Sequence, residues 1–298
     1  MRIICYHSNE KQSQLAAVTD DNKIYDLPYE EFLQLLKVSE EKDESCLSLV
    51  QRTIQDSLPI DANLEDLQLE LPIRSEEVWA SGVTYLKSRD ARNLESKATS
   101  DSFYDRVYIA ERPELFMKST KNRTVGPQTP VYLRTDSKWL IPEPELGLVL
   151  NKHGKIVGYT IGNDMSSRDI EGENPLYLPQ AKIWKHSCSI GPSIRLAETV
   201  EDPYNFSIIC RIFRNDNLVF NDSANTSQLK RKYEELVRYL LKDNVIFDGT
   251  VLLTGTCVVP DEDFSLEDGD IIEIEIPGIG VLRNPVETQK SKNKVLND

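Results

Sequence analysis

The sequence has few of the residues and motifs that mark several common classes of protein. Its 298 residues include three histidines and five cysteines, and no two cysteines have the CxxC spacing of a zinc site or a dithiol centre. It contains no GxSxG nucleophile elbow, no Walker loop and no GxGxxG fingerprint. A serine-nucleophile hydrolase is therefore not supported, and the scattered cysteines fit free thiols in a reducing compartment.

Basic residues and long apolar runs are also scarce. Lys and Arg number 35 against 49 Asp and Glu, which gives a net charge of −14, and no local basic patch offsets it. Binding to nucleic-acid phosphates is therefore not expected. No apolar run approaches the length of a membrane span, and the first residues do not resemble a signal core. We expect a cytoplasmic protein that binds neither membrane nor nucleic acid.

The composition is that of a globular protein with more than one folding unit. Hydrophobic residues make up 39% of the chain and charged residues 28%, which is enough to bury a core. A chain of 298 residues is long enough for about two domains. The polar, acidic stretch 61–72 marks the boundary. We therefore predict a small N-terminal α/β domain over 1–72 and a large catalytic domain over 73–298.

Alternating apolar residues and turn signals predict an α+β chain that is rich in strands. Strands are predicted at 2–6, 15–19, 23–27, 74–83, 131–133, 145–150, 155–161, 206–213, 218–220, 251–259 and 271–276. Helices are predicted at 28–39, 46–54 and 228–242. Residues 87–108 are charged and lack strand alternation, so they are interpreted as a helix or as a mobile cover over an active site.

A group of carboxylates points to a metal. Glu143 and Glu145 are two residues apart, so they lie on one face of a strand, and the flanking prolines favour extended backbone. Asp164 follows the second strand of the predicted hairpin. Three carboxylates completed by water suit Mg²⁺, with Mn²⁺ as the alternative. Zinc fits poorly, because His153 lies in the turn at the far end of the hairpin.

Neither this motif nor the lysine that follows is specific by itself. The same Glu-x-Glu spacing recurs at Glu273 and Glu275, where alternating isoleucines indicate that the glutamates face solvent. Lys182 follows a turn, and a lone lysine is usually a solvated surface group. The pattern therefore leaves a metal site and a solvated acidic face both open.

Longer blocks of sequence resemble the fumarylacetoacetate hydrolase family over about residues 73–285. The blocks, which occur in the family's order, are Pro142-Glu143-Pro144-Glu145-Leu146, Gly158 to Asp169, Gln180-Ala181-Lys182 and Gly191-Pro192. The resemblance implies a mixed β-roll in the large domain and a homo-oligomer, either dimer or tetramer. It also implies Mg²⁺ held by Glu143, Glu145 and Asp164, with Lys182 reaching the substrate beside the metal.

Other segments resemble the members of that family that remove water from 2-keto-3-deoxy sugar acids. These segments are Arg112 to Lys118, Glu173 to Gln180 and Thr254-Gly255-Thr256. The hydrolases carry a histidine and a glutamate in a lid with the pattern Gly-x-Asn-Tyr-x-x-His-x-x-Glu, whereas Ser88 and Ala91 stand at those positions here. Without that base, activation of water to cleave a carbon–carbon bond is hard to arrange. The departure favours a dehydratase.

The resemblance thus implies a Mg²⁺-dependent hydro-lyase that acts on a small 2-keto acid. The implied reaction converts 2-keto-3-deoxy-D-arabinonate (2-dehydro-3-deoxy-D-pentonate) to 2,5-dioxopentanoate in pentose catabolism. One alternative is a carbon–carbon hydrolase of the acylpyruvate or fumarylpyruvate type. The other is a non-catalytic protein that binds keto acids.

Individual roles are assigned as hypotheses. Glu114 is the first candidate for proton transfer, and Lys182 polarises the keto group or shares that role. Arg89, Ser119 and Thr256 are candidates for substrate contacts. For Arg89 and Glu114 the alternative interpretation is a structural ion pair.

Overall fold

The computed structural model describes residues 1–8, 13–95 and 103–289, which form mixed β-sheets with few helices. The predicted α+β class, rich in strands, is confirmed. Within these residues no helix is both long and apolar enough to cross a membrane. All five cysteines are buried as free thiols.

In the described part of the chain, the eleven predicted strands are present in the predicted order, and six further strands, at 114–120, 124–125, 140–141, 166–167, 188–196 and 280–288, were not predicted. The strands are β1 (Arg2–His7), β2 (Ser13–Val18), β3 (Ile24–Asp26), β4 (Glu77–Gly82), β5 (Glu114–Thr120), β6 (Thr124–Val125), β7 (Val131–Leu133), β8 (Leu140–Ile141), β9 (Pro144–Leu150), β10 (Ile156–Asp164), β11 (Ser166–Ser167), β12 (Cys188–Leu196), β13 (Ser207–Arg214), β14 (Asn217–Asn225), β15 (Thr250–Leu253), β16 (Ile271–Ile276) and β17 (Gly280–Thr288). The strand predicted at 251–259 is shorter because Gly255 adopts a φ of 94°, which ends extended backbone.

The helices are short, and short 3₁₀ turns lie between some of them. They are α1 (Phe32–Glu41), α2 (Cys46–Ile54), α3 (Leu86–Glu95), α4 (Phe103–Ile109), α5 (Arg168–Glu173), α6 (Leu178–Lys182) and α7 (Tyr233–Leu240). The helix predicted at 228–242 begins later, because Leu229 and Lys232 are extended and Asn225 caps a separate 3₁₀ turn. α2 has its predicted bounds, with the Ser45 side chain accepting a hydrogen bond from the amide of Ser48.

Two large sheets organise the molecule, beside a two-stranded sheet of β8 and β11. The larger contains the path β3-β2-β1-β12-β10-β9-β15-β4-β5, with β6 beside β12, and the smaller has the order β14-β13-β16-β17-β7. Both are mixed, since β15 is parallel to β4 and β17 is parallel to β7 while most other pairs are antiparallel. Such mixing agrees with the predicted mixed roll.

Both faces of the larger sheet are covered. One face shares a core with the smaller sheet and α7, and the other packs against α1 and α2. Every residue of β9 is buried, which explains why residues 146–150 form a continuous apolar run rather than an alternating pattern. By contrast β16 alternates buried isoleucines with the partly exposed Glu273 and Glu275, as the sequence predicts.

The N-terminal segment continues the larger sheet. β1 pairs with β12 in antiparallel fashion, with Arg2 opposite Arg195 and Ile4 opposite Ser193. Residues of α1 and α2 belong to the same apolar cluster as residues of β4 and β15. The division into domains at residue 72 stays a prediction. The larger sheet and its apolar cluster contain residues from both sides of that boundary.

Candidate metal centre

The β9–β10 hairpin brings the three predicted metal ligands together. Its register sets Gly162 opposite Glu145, and beyond it the amide of Asp164 donates to the main-chain oxygen of Glu143 at 2.9 Å. Asp164 is the last residue of β10, and this hydrogen bond sets it beside Glu143, the residue that precedes β9. Residues 19 and 21 positions apart in sequence thus meet because antiparallel pairing folds the strands back on each other.

The three carboxylates form a buried cluster. One oxygen atom from each of Glu143, Glu145 and Asp164 can be chosen so that all three lie within 4.8 Å of one another, and within the described part of the chain this is the one such group of His, Cys, Asp or Glu residues. All three side chains are buried, with 1% exposure for Glu145 and Asp164. Hard carboxylate oxygens at this spacing fit a divalent cation such as Mg²⁺.

Two buried cations hold Glu143. Nζ of Lys182 lies 2.8 Å from its Oε2 atom, and Nη2 of Arg168 lies 2.7 Å from its Oε1 atom. Burial alone would raise the pKa of Glu143, but the charges of Lys182 and Arg168 outweigh it and hold the pKa below its usual value. Glu143 is therefore an anion in this site.

Lys182 remains charged although it is fully buried. Its ammonium group donates to Ser166 Oγ at 2.6 Å and also lies 3.4 Å from Oδ2 of Asp164. Burial by itself lowers the pKa of Lys182, yet the carboxylates of Asp164 and Glu143 outweigh that cost and raise it above its usual value. Lys182 lies beside the carboxylates, as predicted. It is not the solvated surface lysine that the sequence pattern alone left open.

Glu145 has a different environment. Its Oε2 atom accepts a hydrogen bond from the amide of Gly255 at 2.5 Å. Burial, followed by repulsion from Asp164 and Glu143, raises the pKa of Glu145 well above its usual value. Two neighbouring carboxylates thus repel the charge on Glu145, and a bound divalent ion would relieve that repulsion.

Glu114 is the first residue of β5, and the charges of Lys182 and Glu143 act on it. Its Oε2 atom is buried without a hydrogen-bond partner, and it occupies space that Gly82 leaves by having no side chain. Burial raises the pKa of Glu114; Arg92 lowers it and Glu171 raises it. Arg92 and Glu171 are themselves a buried ion pair, with Nη1 2.5 Å from Oε1.

The predicted substrate-contact residues make local contacts. Arg89 pairs with Asp90 at 2.6 Å and Asp105 at 3.4 Å, which is the ion-pair alternative of the sequence analysis. Ser119 is buried, and its Oγ accepts from Thr124 at 2.9 Å. A role in substrate binding stays a prediction for both residues.

Thr256 is buried as well. Its Oγ1 donates to the main-chain oxygen of Val258 at 3.1 Å, next to the Gly255 amide that holds Glu145. Its expected contact with the substrate carboxylate stays a prediction. Thr256 is nevertheless one residue away from a group that touches the carboxylate cluster.

The segment predicted to cover the site contains α3 and α4. The residues between these two helices, 96–102, lie outside the described residues. Ser88 is buried on α3, where hydrolases of the resembled family have histidine, and Ala91 follows one turn later. Arg92, the next residue, pairs with Glu171 on α5. α3 therefore brings a guanidinium to the site, not an imidazole–carboxylate pair.

Sequence reasoning gave no role to four charged residues that the fold buries here. They are Arg92, Lys118, Arg168 and Glu171, each 4% exposed or less. The available signal was indirect: Lys118 and Arg168 lie in blocks that carry the family resemblance. Nothing in the local pattern of α3 distinguishes Arg92 from the exposed charged residues around it.

Comparison with known proteins identifies a family and several relatives of this chain. A model of the fumarylacetoacetate (FAA) hydrolase C-terminal domain matches residues 77–287. The chain is 44% identical over 273 residues to a probable 2-keto-3-deoxyxylonate dehydratase of Haloferax volcanii, with 90% of this chain and 93% of the relative covered. It is 42% identical over 276 residues to the 2-dehydro-3-deoxy-D-arabinonate dehydratase of Saccharolobus solfataricus, with 92% of each chain covered.

A solved structure has the same fold throughout. It is a 2-keto-3-deoxy-D-arabinonate dehydratase complexed with magnesium and 2,5-dioxopentanoate. The TM-score is 0.82 at 37% sequence identity, and the alignment covers 97% of this chain and all of that one. The likeness extends over the N-terminal segment as well as the hairpin that carries the carboxylates.

Proposed function

The chain belongs to the fumarylacetoacetate hydrolase family, and from this membership we propose that it is a Mg²⁺-dependent dehydratase, a hydro-lyase acting on 2-keto-3-deoxy-D-arabinonate. The product is 2,5-dioxopentanoate. The observation that carries the proposal is the buried cluster of Glu143, Glu145 and Asp164 with a charged lysine among its oxygens. Relatives that act as dehydratases support the choice of reaction.

Glu143, Glu145 and Asp164 hold the cofactor. Mg²⁺ bound there supplies Lewis-acid stabilisation of the negative charge that develops on the oxygens of the keto acid, a contribution of several kcal/mol. Removal of a C3 proton and of the C4 hydroxyl releases one water. The resulting enone bears a C5 hydroxyl, and its tautomerisation gives the aldehyde.

Lys182 serves as a fixed cation. Since the carboxylates of Asp164 and Glu143 keep its pKa above the usual value, it does not accept a proton from C3. Two of its N–H groups donate to Glu143 and Ser166, which leaves one N–H for an oxygen of a bound keto acid. Preorganised donors of this kind act on charge as it develops and need no rearrangement.

Glu114 carries the proton in this mechanism. Its Oε2 atom has no hydrogen-bond partner, and its raised pKa brings it closer to neutral pH, where a carboxyl group can both accept and return a proton. As a carboxylate it takes the proton from C3, and as an acid it protonates the departing C4 hydroxyl. Ser119 and Thr256 complete the proposal as substrate contacts, with Arg89 on the covering helix.

A homo-oligomer in the cytoplasm, dimer or tetramer, is the proposed working form. The expected mass of a multiple of 34.0 kDa in size-exclusion chromatography with light scattering checks the assembly. A monomer at working concentration would contradict this part of the proposal without affecting the reaction.

The deciding experiment is product analysis with 2-keto-3-deoxy-D-arabinonate. We expect 2,5-dioxopentanoate to appear with Mg²⁺, to be absent after EDTA treatment, and to return when Mg²⁺ is added back. Formation of pyruvate by carbon–carbon cleavage would select the hydrolase alternative. Tight binding of the keto acid with no turnover would select the binding protein.

A further inference from the structure

Lys118 is a buried lysine on β5 at an irregularity of the sheet. β4 and β5 pair residue by residue until Trp79 lies opposite Met117, and pairing resumes at Ser119. Lys118 is the residue that the register skips, and a bulge of this kind redirects a side chain out of the regular alternation. Met117 is exposed by 38% while Lys118 is fully buried.

Two hydrogen bonds and one ion pair hold the Lys118 ammonium group. Nζ lies 2.7 Å from Oδ1 of Asp164 and 2.8 Å from the main-chain oxygen of Met165. It also donates to the main-chain oxygen of Lys182. Two of its three donors therefore act on main-chain oxygens, and its charge is paired with a buried carboxylate. The Trp184 ring covers it, with 5.2 Å from Nζ to the ring centroid.

These acceptors lie on the two segments that carry the site. Asp164 ends β10 and Lys182 ends α6, so one ammonium group on β5 joins a metal ligand to the main chain of the charged lysine. A lysine that only neutralises a carboxylate needs no such burial, as Lys121 shows by pairing with Glu76 at the surface. Taking an ammonium group out of water is costly, so the arrangement depends on the quality of its geometry.

We propose that Lys118 is a positioning residue of this site, which fixes the Asp164 carboxylate and the main chain of Lys182 relative to each other. The inference rests on the proposed function for the identity of the reaction and on the contacts above for the geometry. Loss of an outer partner of a metal ligand typically weakens metal binding by about 10- to 100-fold. If Lys118 acted only through its charge, its removal would instead increase the affinity for Mg²⁺, because a cation that repels the metal would be lost.

The opposite signs allow a direct test. Mg²⁺ is titrated calorimetrically into metal-free wild-type protein and into Lys118→Met, which keeps an unbranched apolar side chain and removes the ammonium group. We expect the dissociation constant for Mg²⁺ to rise about 10- to 100-fold. At saturating Mg²⁺, kcat should remain reduced, because the Lys182 main chain has also lost its anchor.

Two further variants separate geometry from charge and from general effects. Lys118→Arg keeps the charge but cannot place a compact ammonium group between two main-chain oxygens and the Asp164 carboxylate, so it should also bind Mg²⁺ more weakly. Lys121→Met removes the exposed lysine that follows β5 and its pair with Glu76, and it should keep wild-type affinity and kcat.

Unchanged or tighter Mg²⁺ binding by Lys118→Met overturns the proposal, and so does wild-type affinity in Lys118→Arg. A lower melting temperature with unchanged affinity and kcat, or failure of both variants to fold, assigns Lys118 to stability alone and overturns it as well. The affinity comparison needs no turnover. A wild-type protein that binds Mg²⁺ but forms no aldehyde would refute the proposed function and leave this comparison intact.

Discussion

Nζ of Lys182 and Oε2 of Glu143 are 2.8 Å apart in the protein interior, so a proposed metal ligand and the proposed substrate-facing lysine share one hydrogen bond. Neither group reaches solvent, and each fixes the orientation of the other. The affinity for metal and the chemistry of the keto acid are therefore coupled through a single contact, although substitutions can still separate them.

Replacing Glu145 should remove metal binding and activity together. Glu145→Gln keeps the shape of the side chain but loses the charge, and we expect Mg²⁺ affinity to fall by more than the ~10- to 100-fold typical of outer partners. Isothermal titration of Mg²⁺ and an aldehyde assay measure the two effects. Glu275→Gln, in the same Glu-x-Glu spacing on β16, is the matched control and should resemble wild type. Full activity of Glu145→Gln would refute the site.

Replacing Lys182 should separate chemistry from metal binding. In Lys182→Ala the three carboxylates remain, so Mg²⁺ should still bind, whereas kcat should fall by about 10²- to 10³-fold, as for loss of one preorganised donor. Lys185→Ala changes an exposed lysine three residues away and serves as the control. Turnover near the wild-type value in Lys182→Ala would remove Lys182 from the mechanism.

The pH dependence of kcat/KM should report Glu114. Burial raises the pKa of this carboxyl, and proton abstraction from C3 needs its ionised form. Activity should therefore be lost as the pH falls through that raised pKa, at a higher pH than an ordinary glutamate would give. Glu114→Gln should lower kcat by about 10²- to 10⁴-fold and abolish this acidic limb. An unchanged limb in Glu114→Gln would assign it to another group.

Replacing the two partners of the ion pair beside Glu114 should move the acidic limb of the pH profile in opposite directions. Arg92 lowers the pKa of Glu114, so Arg92→Met should shift the limb to higher pH; Glu171 raises it, so Glu171→Gln should shift the limb to lower pH. Profiles of kcat/KM against pH for the two variants provide the comparison. Equal losses of activity with no shift would indicate that the pair serves only to hold α3 against α5.

A methyl group at Gly82 should displace the proton carrier. A Cβ built on Gly82 would lie 2.1 Å from Oε2 of Glu114, and the free end of that side chain can move away. Gly82→Ala should therefore lower kcat while Mg²⁺ affinity stays at the wild-type value. In a Glu114→Gln background the same substitution should cost little more, because residues in contact are not additive. Independent, additive losses would contradict the proposed contact.

The proximity of the three carboxylates follows from local rules, whereas their role as metal ligands was implied by the family resemblance and stays a prediction. Glu143 and Glu145 share a strand face by the two-residue period, and the hairpin turn fixes where Asp164 returns. The helix at 46–54 was predicted to the residue for a similar reason, since its apolar spacing and the capping Ser45 agree.

The remaining residues of the site depend on contacts that no local pattern encodes. Lys118 meets Asp164 and the main chain of Lys182 across 46 and 64 positions of sequence, through a bulge that alternation cannot reveal. Arg92 lies on a charged helix whose buried side is decided by Glu171 on another helix. In both cases tertiary packing, not propensity, selects which charged side chain is buried.

The pairing of β1 with β12 has a consequence for how the chain is made. Arg2 lies opposite Arg195, so the first strand leaves the ribosome long before its partner is synthesised. Until then β1 and β2 present an open edge, and an unpaired edge of this kind readily joins other chains. Pairing across such a sequence separation also slows folding. Efficient production should therefore favour chaperone assistance, and expression of residues 73–298 alone should leave β12 exposed and the product prone to aggregation.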